Sequence, residues 1–559
     1  MASLNEYTEK LGRIRAAHLL RRSTFGPDIN QIQEFENLTP SEAIQILFGE
    51  DDEEPFPPID PNTGQSWVNP PVQNAANDVN SEQDELHDYF KAWHTDVMLK
   101  SGTSIRERIT WFLHTHLPAR WTEIRSSEAI YYQNCLFRHY AFGSFKELFK
   151  KICVDNAMLV YLDGYTNHKN DPNENFAREM FELYSIGKGP QIEEGNYTNY
   201  TEADIKAATK ILTGWELDKT FTHIDAETGL PTGKLSSISQ GEPSVLLATG
   251  HDPSEKVFSS FYDNRKIAPE EVIDSLPTES ASYKELDELI EMIFSKIETA
   301  RFITRKLYRF FVYHFISGEV ENDIIKPLAQ QFYDSDYDLQ EIITTLLKSE
   351  HFYDADNIET RDNNIGALIK SPLELNLGIL RFFNLNVPDR QTDANSFYTD
   401  MGFINNSFFD QGLNYYEPFE VAGYPAYHQI PAYNRNWITA YSLANRYQVG
   451  NILMRKTGSS EGLSFGLDIL DWVENSGHIS DPSDPDEIIS TIMQNLLGVE
   501  LNQERYNYFL NTVFLDTFDP ATWKFEWQNY KNGGDELTVR ERLEIFFSRL
   551  TQTPEFQLY

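Results

Sequence analysis

The groups most able to do chemistry sit in one stretch. The loop Asp163-Gly164-Tyr165-Thr166-Asn167-His168 is dense in oxygen ligands and feeds into Asn173-Glu174-Asn175-Phe176-Ala177-Arg178-Glu179-Met180-Phe181-Glu182-Leu183. Asp171-Pro172-Asn173-Glu174 fits a helix start, with Asp171 as N-cap, Pro172 in the first turn and Glu174 returning a hydrogen bond. The predicted helix runs to about Ile186 and stops at Gly187. On it Asn175, Glu179 and Glu182 follow i, i+4, i+7 with Arg178 beside them, while Phe176, Met180, Leu183 and Tyr184 form an apolar surface. A polar ridge so flanked is half buried, and buried carboxylates must be paired, hydrogen-bonded or bound to a cation.

Arg178 neutralises only one of the two carboxylates, so Glu179 and Glu182 are expected to share a divalent metal ion, helped by Asn175 or by loop oxygens from Asp163, Asn167 and Asn170. Glu179, Glu182 and Arg178 are then the catalytic candidates. The other reading of the same spacing is an Arg–Glu network that only ties helices together. Asp171, Asn173, Asn175 and Glu182 also match positions 1, 3, 5 and 12 of a calcium loop, but Phe176 occupies the sixth position, where the turn needs glycine, and the match is set aside.

Histidines supply further ligand candidates. His114-Thr115-His116 ends a helix closed by Pro118, and His251-Asp252-Pro253 lies in a long irregular stretch. Residues at i, i+2 diverge on a helix; His116 continues the apolar column of Ile109 and Phe112 and reads as a core histidine, whereas His114 follows Glu107 and Thr110 and is the better ligand. The metal set predicted on these grounds is His114, His116, Glu179, Glu182 and His251. A basic cluster, His18 with Arg21 and Arg22, offers either an anion-binding point or a hub for buried carboxylates. Arg21, Arg22, Asn175 and Tyr424 are the expected substrate contacts. Arg301, Arg305 and Arg309 form a stripe that pairs with the acidic majority. No glycine-rich phosphate loop, His-Glu-x-x-His, Gly-x-Ser-x-Gly or Cys-x-x-Cys occurs.

The elements that must position these groups are helices. Leu286, Leu289, Ile290, Ile293 and Phe294 make an apolar stripe, and Thr39-Pro40-Ser41-Glu42 and Ser371-Pro372-Leu373-Glu374 each carry a capping hydroxyl, a first-turn proline and a glutamate. The fold class read from this is mainly α: a large multi-helix body with long irregular loop excursions and one short β-hairpin. The N-terminal helical part spans 1–216, an excursion rich in glycine and proline 217–265, a second helical part 266–385, an aromatic loop 386–436 and a C-terminal helical part 437–559. The aromatic loop either forms a binding rim or packs onto the body.

Charge narrows the partners. With 86 acidic and 47 basic residues the formal charge is −39, which repels nucleic acid and anionic lipid. No apolar run reaches the roughly 20 residues of a transmembrane segment. Cys135 and Cys153 are the two cysteines, too few for a disulfide framework. The N-terminus lacks the basic start and apolar stretch of a signal peptide, so either the protein stays in the cytoplasm, or its signal lies outside this sequence, or export depends on something else.

Seven segments in order resemble the bacterial domain-of-unknown-function family number 1800: His18-Leu19-Leu20-Arg21-Arg22 with Phe25-Gly26, Trp111-Phe112 with His114 and His116, Asn173 to Glu179 with Glu182-Leu183, Thr213-Gly214-Trp215, His251-Asp252-Pro253, Lys370-Ser371-Pro372 with Glu374, and Val421-Ala422-Gly423-Tyr424. They cover about residues 10 to 450, and the Asn-Glu-Asn-x-Ala-Arg-Glu block is the most specific. The resemblance implies a large, mostly helical bacterial protein, often encoded beside a sulfatase-like partner of domain-of-unknown-function family number 1501 and placed at the cell envelope or secreted. Tyr424 stands where that family usually has tryptophan, and the missing signal peptide departs from an envelope location. Two functions are expected from this: a metal-assisted enzyme acting on an oxygen-rich or anionic substrate such as a glycan, or a non-catalytic envelope scaffold that binds a partner through 386–436.

Overall fold

Local chemistry sets the helix starts. Thr39 and Ser371 cap the helices Pro40–Leu47 and Pro372–Phe382 through reciprocal bonds with Glu42 and Glu374, as their spacing predicts. The apolar stripe from Leu286 to Phe294 is the buried side of the helix Glu279–Phe294. The computed structural model describes residues 2–49, 54–68, 79–356, 363–454 and 463–559.

Seven helices carry or flank the polar groups of interest: α1 (Gly12–Ser23), α2 (Val79–Leu99), α3 (Arg106–His116), α4 (Ser127–Tyr140), α5 (Asn175–Glu179), α6 (Pro372–Phe382) and α7 (Pro485–Leu496). Helix α3 is buried at every position from Glu107 to His116. A helix covered on all sides lies at the centre of a large core, so each polar side chain it carries must find a partner inside the protein. One hydrophobic cluster runs from Ala2 to Phe556 around it, and none of the helices among the described residues is long and apolar enough to cross a membrane.

The fold is mainly α with long loops, and its β-structure consists of six two-stranded antiparallel sheets among the described residues. The excursion expected to hold one hairpin holds more. Trp215–Glu216 pairs with Lys234–Leu235, Ser237–Gln240 with Val245–Ala248, and Lys256–Val257 with Lys266–Ile267. These strands are two to four residues long and partly exposed, which leaves little alternating pattern to detect. The stretch read as an aromatic loop contains a helix, Ala394–Asp410, capped by Asp393 on Ser396. Its buried side, with Phe397, Met401, Ile404 and Phe408, keeps helical spacing, but the Asn, Ser, Thr, Asp, Phe and Tyr that fill most of the segment are weak helix formers, so it reads poorly as a helix.

Two glycine positions hold motif segments together. A Cβ on Gly214 would lie 2.7 Å from the Gly250 carbonyl carbon, so the strands leading to Trp215 and His251 can touch backbone to backbone. Gly423, at φ +102°, brings the Val421–Tyr424 turn onto α3, where a Cβ would stand 2.9 Å from the Thr115 carbonyl oxygen.

Candidate functional site

The polar stretch starts its helix later than its capping pattern predicts. Asp171 is bridged to His168 through the backbone and caps nothing; Asn173 Oδ1 accepts the Asn175 N–H at 3.0 Å, and Asn167 Oδ1 accepts the Asn173 N–H at 3.0 Å. The loop oxygen of Asn167 is thus used in folding the turn. Asn175 is exposed and donates to the Leu162 carbonyl at 3.3 Å. Helix α5 gives way at Met180 to a π turn, Met180–Tyr184, closed by Ser185 Oγ donating to the Met180 carbonyl at 2.6 Å. Such an insertion recurs at functional sites because it re-aims the side chains after it.

Arg178, Glu179 and Glu182 are brought together, but their pairing differs from the expectation. Arg178 grips Glu202 with two bonds, at 2.7 and 2.9 Å, and Glu174 at 3.2 Å, while Glu182 lies 3.9 Å away. Those bonds, Glu202 foremost, hold the Arg178 guanidinium above its ordinary pKa. Glu182 is held by Lys188 at 2.7 Å and accepts the Tyr200 hydroxyl at 2.6 Å. Glu179 has no hydrogen bond or ion pair with a described residue. Half buried, it has its pKa raised by burial and by the Glu182 charge, with Lys188 and Arg178 pulling the other way. The sequence reading did not single out Glu202, Lys188 or Tyr200. The capping box at Thr201 and Asp204 marks the helix that presents Glu202, and was the available signal.

A face builds around Glu179. Tyr161 is pushed up by burial and feels Arg120, Glu123, Glu179 and Glu417. Arg120 donates to the carbonyls of Pro418 at 2.9 Å and Phe419 at 2.5 Å, and Glu417 accepts the Thr122 N–H at 2.9 Å and its hydroxyl at 2.8 Å. Tyr184 at the end of the π turn donates to the Val421 carbonyl at 2.8 Å. The loop 416–424 therefore lies along the π turn and lifts Phe419 into solvent at 79% exposure. A carboxyl of raised pKa, the Arg120 guanidinium paired with Glu123 at 2.7 Å, and an exposed ring lie along this loop, with the buried Tyr161 phenol beneath them.

The histidines lie elsewhere. His114 is fully buried; its Nε2 lies 3.2 Å from the Tyr424 hydroxyl, which accepts the Tyr416 N–H at 3.0 Å. Burial lowers its pKa to about 3, so the ring is neutral. His94 on α2 completes this pocket, its Nδ1 at 2.6 and 2.8 Å from the hydroxyls of Tyr415 and Tyr416. His94 was missed because it lies in the apolar stripe Phe90, Trp93, His94, Val97. Tyr424 is thus a buried partner of His114. His116 packs among Phe112, Phe145, Tyr184 and Phe302 and donates Nε2–H to the Tyr184 carbonyl at 3.0 Å, matching its reading as a core histidine. His251 sets Nδ1 2.9 Å from the Thr213 carbonyl and Nε2 2.8 Å from Glu285, whose other oxygen holds Lys256 at 2.6 Å, so both its nitrogens face acceptors. Among the described residues no three His, Cys, Asp or Glu side chains gather as a metal needs. Of the expected ligands, Glu179 and Glu182 are the two that stand together.

Arg21 and Arg22, at the end of α1, occupy a third place. Arg108 of α3 is paired with Glu374 of α6 and donates to the Tyr559 hydroxyl at 2.9 Å and, through Nε, to the Arg22 carbonyl at 3.1 Å. Arg22 lies over the Tyr559 ring, 4.5 Å from its centre. Arg301 and Arg305 pair with Glu298 and Glu321, as the stripe predicts, while Arg309 lies over the Tyr433 ring.

The segments meeting here match a family model along nearly their whole length: the chain belongs to the family described as Protein of unknown function (DUF1800), over residues 18–558. No curated protein and no solved structure matches it.

Proposed function

We propose that the chain is an enzyme acting on an oxygen-rich substrate such as a glycan, with Glu179 as the group that moves the proton. One observation carries the reading. In a surface where Glu174, Glu182 and Glu202 all have cationic partners, Glu179 has none among the described residues, and burial holds its carboxyl above the ordinary range, as suits a general acid or base. Arg120 and the exposed Phe419 ring would orient the substrate, the ring stacking on an apolar sugar face. A divalent cation shared by Glu179 and Glu182 is the metal-assisted form of the same proposal.

The experiment is a turnover screen on neutral and anionic oligosaccharides with the wild type and Glu179→Gln, alongside elemental analysis of both. Turnover should fall about 10²–10⁴-fold in the variant with no loss of melting temperature, as removal of an acid–base group does. Near-stoichiometric metal lost in the variant supports the metal-assisted form. Equal turnover in the two proteins rules Glu179 out.

A second reading has its own support. Phe409, Phe419, Ile430 and Tyr441 are 58%, 79%, 75% and 65% exposed within or beside 386–436, more large apolar surface than a free loop needs. In that reading the chain is an envelope scaffold for a sulfatase-like partner, and Phe419→Ser with Ile430→Ser abolishes co-purification while leaving the fold intact.

A further inference from the structure

In so acidic a chain, each buried cation has carboxylates to spare. Among the described residues five nonetheless lack one: Arg381 spends its donors on Ser101 and on the carbonyls of Gly26, Met98, Leu99 and Gly102, and the other four cluster together. Arg21, Arg22, Lys370 and Arg446 are 9%, 0%, 8% and 0% exposed, and none pairs with a carboxylate among the described residues. Their partners are neutral: Arg21 donates to the Asn495 carbonyl at 2.6 Å, Arg22 to that of Asn364 at 2.8 Å and Lys370 to that of Phe556 at 2.7 Å, while Arg446 donates to the Lys370 carbonyl at 2.8 Å and Gln557 at 2.7 Å. Nε and Nη1 of Arg22 and Nη1 of Arg446 meet no acceptor among the described residues. The one carboxylate inside the cluster, Glu374, is taken by Arg108, and Asp354 acts on Arg22 only through space. Buried charges without counter-charge cost several kcal/mol each, so the cluster as it stands is short of anions.

The geometry says where one would enter. Arg21 and Lys370 line an inner cavity of about 30 Å³ beside Glu374 and Tyr559, roughly twice what one water needs. Arg21 also lines an outer cleft of about 360 Å³ between α1 and α7. That cleft mixes Ile14 and Met493 with Arg13, Asp486, Glu500 and Tyr506, and Arg13 is taken up by Glu500 at 3.2 Å, so its walls suit an uncharged hydroxylated body and disfavour a second anion. The buried guanidinium charge of Arg21, Arg22 and Arg446, with the Lys370 amine beside it, favours a dianion over a carboxylate.

We infer that the α1–α7 cleft binds a tetrahedral dianion, a phosphate or sulfate group, with Arg21 as its first contact and Lys370 behind it. It shares no residue with the Glu179 face. The same group borne on an ester would lay its body along the outer cleft.

Isothermal titration of the full chain with inorganic phosphate, then inorganic sulfate, at constant ionic strength set with chloride tests this. One saturable site tighter than about 1 mM is expected for at least one of the two ions, and which ion binds tighter names the source. Arg21→Gln should weaken it by about tenfold or more, the usual worth of a charge-assisted bond. Glu500→Gln, on the exposed rim, should tighten it several-fold by removing a like charge and freeing Arg13, its partner at 3.2 Å. This second variant keeps the test decisive should Arg21→Gln not fold. No saturable binding of either ion by the wild type, an affinity unmoved by Glu500→Gln, or loss of binding in Arg120→Gln overturns the inference.

Discussion

On the surface from Glu174 to Lys188, two cations serve three carboxylates and one more carboxylate is left over; beneath α3, five cations crowd around Glu374 and the cations are left over. Both regions belong to a chain of net charge −39. Net charge describes the solvated coat and its long-range field, whereas the sign of a site is set by which groups burial isolates. The two surpluses also differ in energy scale. A half-exposed carboxylate is screened by water, and the cluster under α3 is not.

Breaking the buried pair gives the largest contrast. Glu374→Gln leaves Arg108 without its carboxylate and should cost about 3–5 kcal/mol in urea unfolding, with loss of the Ser371 cap included. A cost below about 1 kcal/mol would show that the cluster is solvated and the comparison mistaken. On the surface, Arg178→Met removes the grip on Glu202 and should cost about 0.5–1 kcal/mol, a difference that shrinks in high salt. An equal cost at low and high salt would place Arg178 with the buried groups.

The smallest effect sharpens the comparison most. The Glu179 pKa is raised on folding, so its favourable contribution is complete below the unfolded value near 4.5 and is lost as pH rises through the folded value. Glu179→Gln should therefore match the wild type in stability at pH 4 and exceed it by roughly 0.3–0.5 kcal/mol at pH 7, a figure kept small because water screens this group. Thermal melts across that range check it, and a variant less stable at pH 7 would mean that Glu179 has an anchoring partner.

The helices were legible where one face is apolar and the ends carry capping residues, as at Thr39, Ser371 and the stripe from Leu286 to Phe294. The short hairpins and the helix Ala394–Asp410 were not, since two-residue strands have no period and Phe and Asn are weak helix formers. Within the candidate site, the grouping of Arg178, Glu179 and Glu182 comes from their spacing. Their partners do not, because Glu202, Lys188 and Tyr200 arrive from a hairpin and a helix whose packing no local pattern encodes. The π turn at Met180 was equally hidden: it inserts a register change into a run that reads as continuous α-helix. His114, His116 and His251 share chemistry and not location, for which a one-dimensional reading has no coordinate.

The bond between Arg108 and the Tyr559 hydroxyl spans 451 residues of sequence. Closing a contact of such separation costs the chain more conformational entropy than closing a local one, so this bond ties the centre of the fold to its topology and not to any local helix signal.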